Sequence, residues 1–258
     1  MTDLPRGADF LGLARDIAAN ALASTDDLVQ FGENGTKLPA TLSGFGTVLS
    51  HAYQIATCDF GCAGGDHVLE WLAGRVVNQA SSAYLLARAA SYDEALMLAR
   101  GIGEAANLAW LFEYAPSELG SWRAADRKLR LREYGPAAVR RKIAPLTNDV
   151  MPVDEERYQR LCEVGTHPVP GFAPGHYTKG RPVLFGIPQQ AGYLVAINET
   201  AYATATFVAC IATLVAIPDE AKLAIRKDAV ALIRTLGSIS VLNYEDALAG
   251  KRPEESRH

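Results

Sequence analysis

From Thr200 to Ile217 the chain reads TAYATATFVACIATLVAI, with no charged residue in the run and Glu199 and Asp219 flanking it. A segment this apolar has two homes. One is a bilayer, which takes about 20 apolar residues to cross as a helix. The other is the middle of a helix bundle, where a helix is enclosed on all sides. Four threonines dilute the run, and no cluster of Lys or Arg marks a cytoplasmic end, as a membrane span would require. The segment is therefore expected to be the central helix of a bundle, with no membrane association.

The remaining helices follow from apolar spacing. Ala8 to Ser24 places Phe10, Leu13, Ala14, Ile17 and Ala21 on one stripe, and Pro39 to Thr57 is a second, Gly-interrupted helix. Asp66 is an N-cap for a helix through Val68, Leu72, Val76, Ala80, Ala83 and Ala87, ending near Ser91. Asp93 opens another, with Leu98, Ile102, Ala105, Ala109 and Phe112 on its stripe and Pro116 beyond its end. Ser121 to Tyr134 reads as one basic helix, separated by Gly135-Pro136 from a shorter basic segment that ends before Pro145. Val153 to Val164 forms the next helix.

Gly165 to Pro188 contains ten Gly or Pro residues and cannot be helical throughout. It has room for a hairpin around Lys179-Gly180, with His176 to Thr178 and Pro182 to Phe185 as arms. Gln189 to Ile217 and Glu220 to Leu236 complete the helices, and the terminal KRPEESRH is expected to be disordered. The expected fold is all-α, a multi-helix bundle with one long Gly/Pro-rich loop. Residues 1–65 form an N-terminal helical extension, 66–236 the bundle and 237–258 a tail.

Apolar residues make up 49% of the 258 and charged ones 21%, which excludes intrinsic disorder. The opening MTDLPRGADF lacks the basic and apolar regions of a secretory signal, and four cysteines are too few for a disulfide framework. A cytoplasmic protein with reduced thiols is expected. The net charge of −4 conceals a basic segment, in which Arg123, Arg127, Lys128, Arg130, Arg132, Arg140, Arg141 and Lys142 stand against Asp126 and Glu133. That local +6 leaves −10 for the rest, so a confined anion-binding surface is compatible with an acidic body. A solvated helix face explains the same charges.

Two constellations could carry chemistry. In RGIGEAANLAWLF, Arg100, Glu104 and Asn107 are spaced to share a helix face. Their neighbours are small or apolar, so Glu104 is expected to be substantially buried against an arginine, the alternative being an exposed ion pair within the helix. In RYQRLCEVGTHP, Arg160 on a helix precedes His167 just past its end.

The second motif, with the first on an earlier helix, resembles the HEPN (higher eukaryotes and prokaryotes nucleotide-binding) superfamily of helical bundles, and within it an uncharacterised bacterial group. The resemblance covers about Asp66 to Leu236. It implies a homodimer in which Arg100, Glu104, Arg160 and His167 converge on one polar site. In nuclease members, an Arg and a His meet across the dimer and cleave RNA without metal. Arg160 would then hold the phosphate and His167 transfer a proton, with Arg123, Arg127, Lys128, Arg130, Arg140 and Arg141 guiding the RNA backbone. Leu161 after the arginine and the helix-ending Gly165 depart from the nuclease pattern. The reading favoured by the sequence is a non-catalytic binding or scaffold protein with a protein partner, in bacterial stress or phage defence. The alternatives are a metal-independent endoribonuclease and a small-molecule binder using residues 165–188 as a lid.

His51, Cys58, Cys62 and His67 are candidate zinc ligands, but the histidines lack the paired zinc-finger spacing. A Gly-rich connection with free thiols, and no metal or cofactor, is the expectation. Neither a phosphate-binding Gly-rich loop nor a Gly-x-Ser-x-Gly nucleophile motif occurs.

Overall fold

The computed structural model describes residues 8–31, 37–62, 64–165, 177–178, 181–182 and 187–243. Among these the protein is an all-α bundle of ten α-helices: α1 (Ala8–Phe31), α2 (Leu38–Ala56), α3 (Val68–Arg88), α4 (Tyr92–Tyr114), α5 (Pro116–Ala124), α6 (Arg127–Glu133), α7 (Pro136–Thr147), α8 (Glu155–Gly165), α9 (Gln190–Leu214) and α10 (Asp219–Thr235). A short 3₁₀ turn follows at Val241–Asn243.

The apolar run occupies the centre. α9 is enclosed by α2, α3, α4 and α10, and Val195, Ala201, Ala205, Phe207, Val208 and Ile211 are fully buried. Its threonines need no outside partner. Thr200 and Thr204 donate to the carbonyls of Ala196 and Thr200 at 2.7 Å, Thr206 to Tyr202 at 3.0 Å and Thr213 to Cys210 at 2.7 Å. Each hydroxyl is satisfied within its own helix, so a dry environment is tolerated.

Small residues let the other helices approach. Ala73, Ala80, Ala83 and Ala87 of α3, with Ala95, Ala99, Ala106 and Ala109 of α4, are almost wholly buried. A β-carbon on Gly192 would lie 2.4 Å from the Tyr92 ring. That close approach lets the Tyr92 hydroxyl accept a hydrogen bond from the Gln189 N–H at 2.9 Å, anchoring the start of α9.

Several sequence boundaries move. α2 supplies Phe45, Val48, Ala52 and Ile55 to the same core as α3, α4, α9 and α10, so residues 37–56 belong to the bundle rather than to an extension. The single basic helix expected from Ser121 to Tyr134 is two. Asp126 accepts from Leu129 N at 2.7 Å and starts α6 afresh, because its short carboxylate satisfies an N-terminal donor better than a continuing helix does. α7 continues past the expected stop at Pro145 to Thr147, although this proline has no N–H to donate to the Arg141 carbonyl. Asp66 accepts from Val68 N at 3.4 Å while His67 occupies the cap position of α3. The hairpin is present as two-residue strands, β1 (Tyr177–Thr178) and β2 (Arg181–Pro182), antiparallel with Tyr177 opposite Pro182.

Candidate functional site

The polar site lies where α8 docks on α4 and α9, and close approach to α4 creates it. Gly103 permits contact, since a β-carbon there would meet Val153 Cγ2 at 2.6 Å. One turn further along α4, Asn107 donates to the Val153 carbonyl at 2.7 Å and accepts from the Val153 N–H at 2.9 Å. A strand-like pair of bonds therefore fixes the approach to α8. Asp154 then accepts from Arg157 N at 2.8 Å and caps the helix.

From this anchor α8 presents Arg157 and Tyr158 to the body of the protein. Arg157 Nη1 lies 2.7 and 2.6 Å from the two carboxylate oxygens of Glu199, whose side chain is only 2% exposed. Val241 N donates to the same carboxylate at 2.9 Å, tying the C-terminal 3₁₀ turn to the pair. The Arg157 guanidinium also lies 4.9 Å from the Tyr202 ring centroid. Burial weakens the hold of Arg157 on its proton, but the facing Glu199 outweighs it and raises the pKa.

Tyr158 lies near two other cations. The Arg140 guanidinium is 4.2 Å and that of Arg100 5.1 Å from its ring centroid, within cation–π range. Its hydroxyl donates to Glu104 at 3.3 Å, and Arg100 Nε donates to the same carboxylate at 3.1 Å. Burial, then the charge of Glu104, raises the pKa of the Tyr158 hydroxyl. Arg140 Nε and Nη2 donate to Glu155 at 2.9 and 2.5 Å. Hydrogen bonds from Gln159 and Arg140 lower the pKa of Glu155.

Arg100 and Glu104 pair as their spacing implies, but the Glu104 side chain remains 34% exposed rather than substantially buried. Arg160 donates to Glu163 of its own helix at 2.7 Å. His167 lies outside the described residues, as does most of the 165–188 segment. Arg157, Tyr158, Glu155 and Glu199 belong to the network as well. Of these, Glu199 left a trace in the sequence, as a lone acid at the head of an apolar run.

The basic segment does not form one open surface. Arg140 is buried rather than available to a phosphate backbone. Lys142 donates to Glu118 at 2.8 Å, Arg123 pairs with Asp66 at 3.1 Å, and Arg130 caps the Ala125 carbonyl at 2.7 Å. Arg127, Lys128 and Arg141 remain exposed.

A cavity of about 230 Å³ opens beside the network. Arg75, Glu104, Trp122, Tyr134 and Arg140 are among its lining residues. Arg140 Nη1 is buried and has no hydrogen-bond partner among the described residues. No protein-family model, curated protein or solved structure matches this chain.

Proposed function

We propose that this is a non-catalytic helical binding or scaffold protein, whose Arg/Glu/Tyr network sets helix packing and borders a ligand cleft. The observation that carries this reading is the pairing of its arginines. Arg157 is engaged by Glu199, Arg140 by Glu155, Arg100 by Glu104 and Arg160 by Glu163. A phosphate meeting one of these four arginines would have to displace a carboxylate, at the greatest cost for the enclosed Arg157–Glu199 pair.

The cleft offers different chemistry. Trp122, Tyr134, Leu72, Leu108 and Val139 provide apolar surface, and Arg75, Glu104 and Arg140 are the charged groups of the lining. An apolar body with a few charged groups at its wall suits a small ligand or an inserted side chain that carries a polar group. The homodimer implied by the HEPN resemblance belongs to this reading and is tested by sedimentation.

The deciding experiment incubates the full chain with single-stranded RNA in chelator, beside Arg160→Lys and His167→Ala. The expected result is no cleavage by any of the three. Cleavage by wild type that both substitutions abolish would overturn the reading in favour of a metal-independent ribonuclease, because His supplies proton transfer and Arg a bidentate grip that Lys lacks.

A further inference from the structure

The connection between α2 and α3 gathers three ligand-type side chains that the α4–α8 network does not use. Cys58 follows the end of α2, Cys62 lies within the loop and His67 caps α3. Their ligand atoms all lie within 4.8 Å of one another. Cys58 Sγ is 3.7 Å from His67 Nδ1, and Cys62 Sγ is 3.7 Å from His67 Nε2. Metal–ligand distances of about 2.3 Å for zinc–sulfur and 2.0–2.1 Å for zinc–nitrogen put a sulfur and a nitrogen about 3.6 Å apart in a tetrahedron. The thiols and the imidazole already stand at nearly that spacing. One ring nitrogen binds a metal, so a shared ion requires one thiol to turn toward the nitrogen that the other faces, and Cys62, which is exposed, has the freedom to do so.

The backbone is shaped around this cluster. Cys58 and His67 adopt φ values of 57° and 51°, left-handed conformations that residues with a β-carbon seldom take. Gly61, Gly64 and Gly65 have φ of 104°, 77° and 99°, which lets the chain curl between them. His51, the fourth candidate in the sequence, faces elsewhere, with Nε2 2.9 Å from Asp228 and Nδ1 3.3 Å from Gln54. Cys58 and His67 line a cavity of about 430 Å³, together with Gln54, Glu70, Arg123 and Ile217.

We propose that Cys58, Cys62 and His67 bind one zinc-class divalent cation, whose fourth position is exchangeable and faces this cavity. Two thiolates and an imidazole are soft to borderline donors that favour zinc over oxygen-seeking magnesium or calcium. Three protein ligands with an open fourth position is the arrangement of reactive rather than purely structural zinc sites. On binding, each thiol releases its proton to solvent. The two thiolate charges then balance the dication, so no net positive charge sits at the N-terminus of α3, where the helix dipole would oppose it.

The test is titration of the reduced, metal-free full chain with cobalt(II), after thiol counting has shown Cys58 and Cys62 to be free. The expected result is one cobalt per chain, with a thiolate-to-metal charge-transfer band and strong visible bands of tetrahedral cobalt, both lost on adding zinc. Azide should shift the visible bands by entering the fourth position. Cys62→Ser and His67→Ala should each lose the charge-transfer spectrum, and His51→Ala should keep it. Circular dichroism of each metal-free variant confirms that it is folded. Absence of the bands in wild type, or their survival in folded Cys62→Ser, would overturn the site. A spectrum indifferent to azide would overturn the exchangeable position.

Discussion

Arg157–Glu199 and Arg100–Glu104 are both arginine–glutamate pairs beside the same docking helix, yet their settings differ. In the first, the side chains are 20% and 2% exposed and the carboxylate also accepts from Val241 N. In the second they are 22% and 34% exposed, and the partners are four residues apart on one helix. Burial makes a charge depend on its partner, because water no longer solvates it when the partner is removed. Exposure leaves water available as a substitute. The contrast assigns the Arg157–Glu199 pair to the fold and the Arg100–Glu104 pair to the edge of a cleft.

The largest expected effect comes from breaking the enclosed pair. Glu199→Gln removes the enclosed charge that Arg157 faces and weakens the acceptor of Val241 N, and its cost should be roughly 3–5 kcal/mol. A urea denaturation midpoint close to wild type would remove the distinction between the two pairs. Replacing both members, Arg157→Met with Glu199→Gln, should recover part of the loss, because the orphaned cation is then gone.

The next effect separates buried charge from buried neutral polarity. Burial raises the pKa of Tyr92 from 10.0 to about 12, against a lowering contribution from its backbone hydrogen bond to Gln189. Between these values the native tyrosine holds a proton that the unfolded one has lost. Its stabilisation is therefore complete below pH 10 and declines as pH rises towards 12. The decline should reach roughly 2–3 kcal/mol. Stability measured across that interval should fall less steeply in Tyr92→Phe, and parallel slopes would show that Tyr92 does not supply this term.

A smaller loss is expected at the anchor of α8. Asn107→Ala removes both bonds to Val153 and leaves a buried backbone N–H and carbonyl without partners, a cost of about 2 kcal/mol. The Arg157–Glu199 geometry depends on that anchor. Asn107→Ala and Glu199→Gln should consequently be non-additive, and strict additivity would show that the two act independently.

The pattern of success in the sequence reading has the same physical origin. α9 was legible because enclosure on every side requires an uninterrupted apolar run, and Arg100–Glu104 because neighbours on a helix surface have fixed spacing. Arg157–Glu199 spans 42 residues of chain, and no spacing rule announces a contact made by folding. The split between α5 and α6 was hidden because Asp126 within a basic stretch reads as one more surface charge until its carboxylate is seen on Leu129 N. The proximity of Cys58, Cys62 and His67 was hidden for a related reason, because it is the left-handed turns at Cys58 and His67, and no zinc-finger spacing, that bring these side chains together.

The smallest effect is the sharpest check on the comparison. Glu104→Gln removes a charge from Arg100 and changes the acceptor of the Tyr158 hydroxyl, yet the amide oxygen of glutamine can still accept that bond. Arg100 keeps access to water and lies near the Tyr158 ring, so its charge is not stranded. After allowance for solvent screening, the expected loss is about 0.5 kcal/mol. It should shrink further in high salt, as a solvent-accessible ion pair requires, whereas the Glu199→Gln loss should depend little on salt. A salt-insensitive loss of several kcal/mol at Glu104 would mean that the site is as enclosed as its neighbour, and that the cleft beside it is closed in solution.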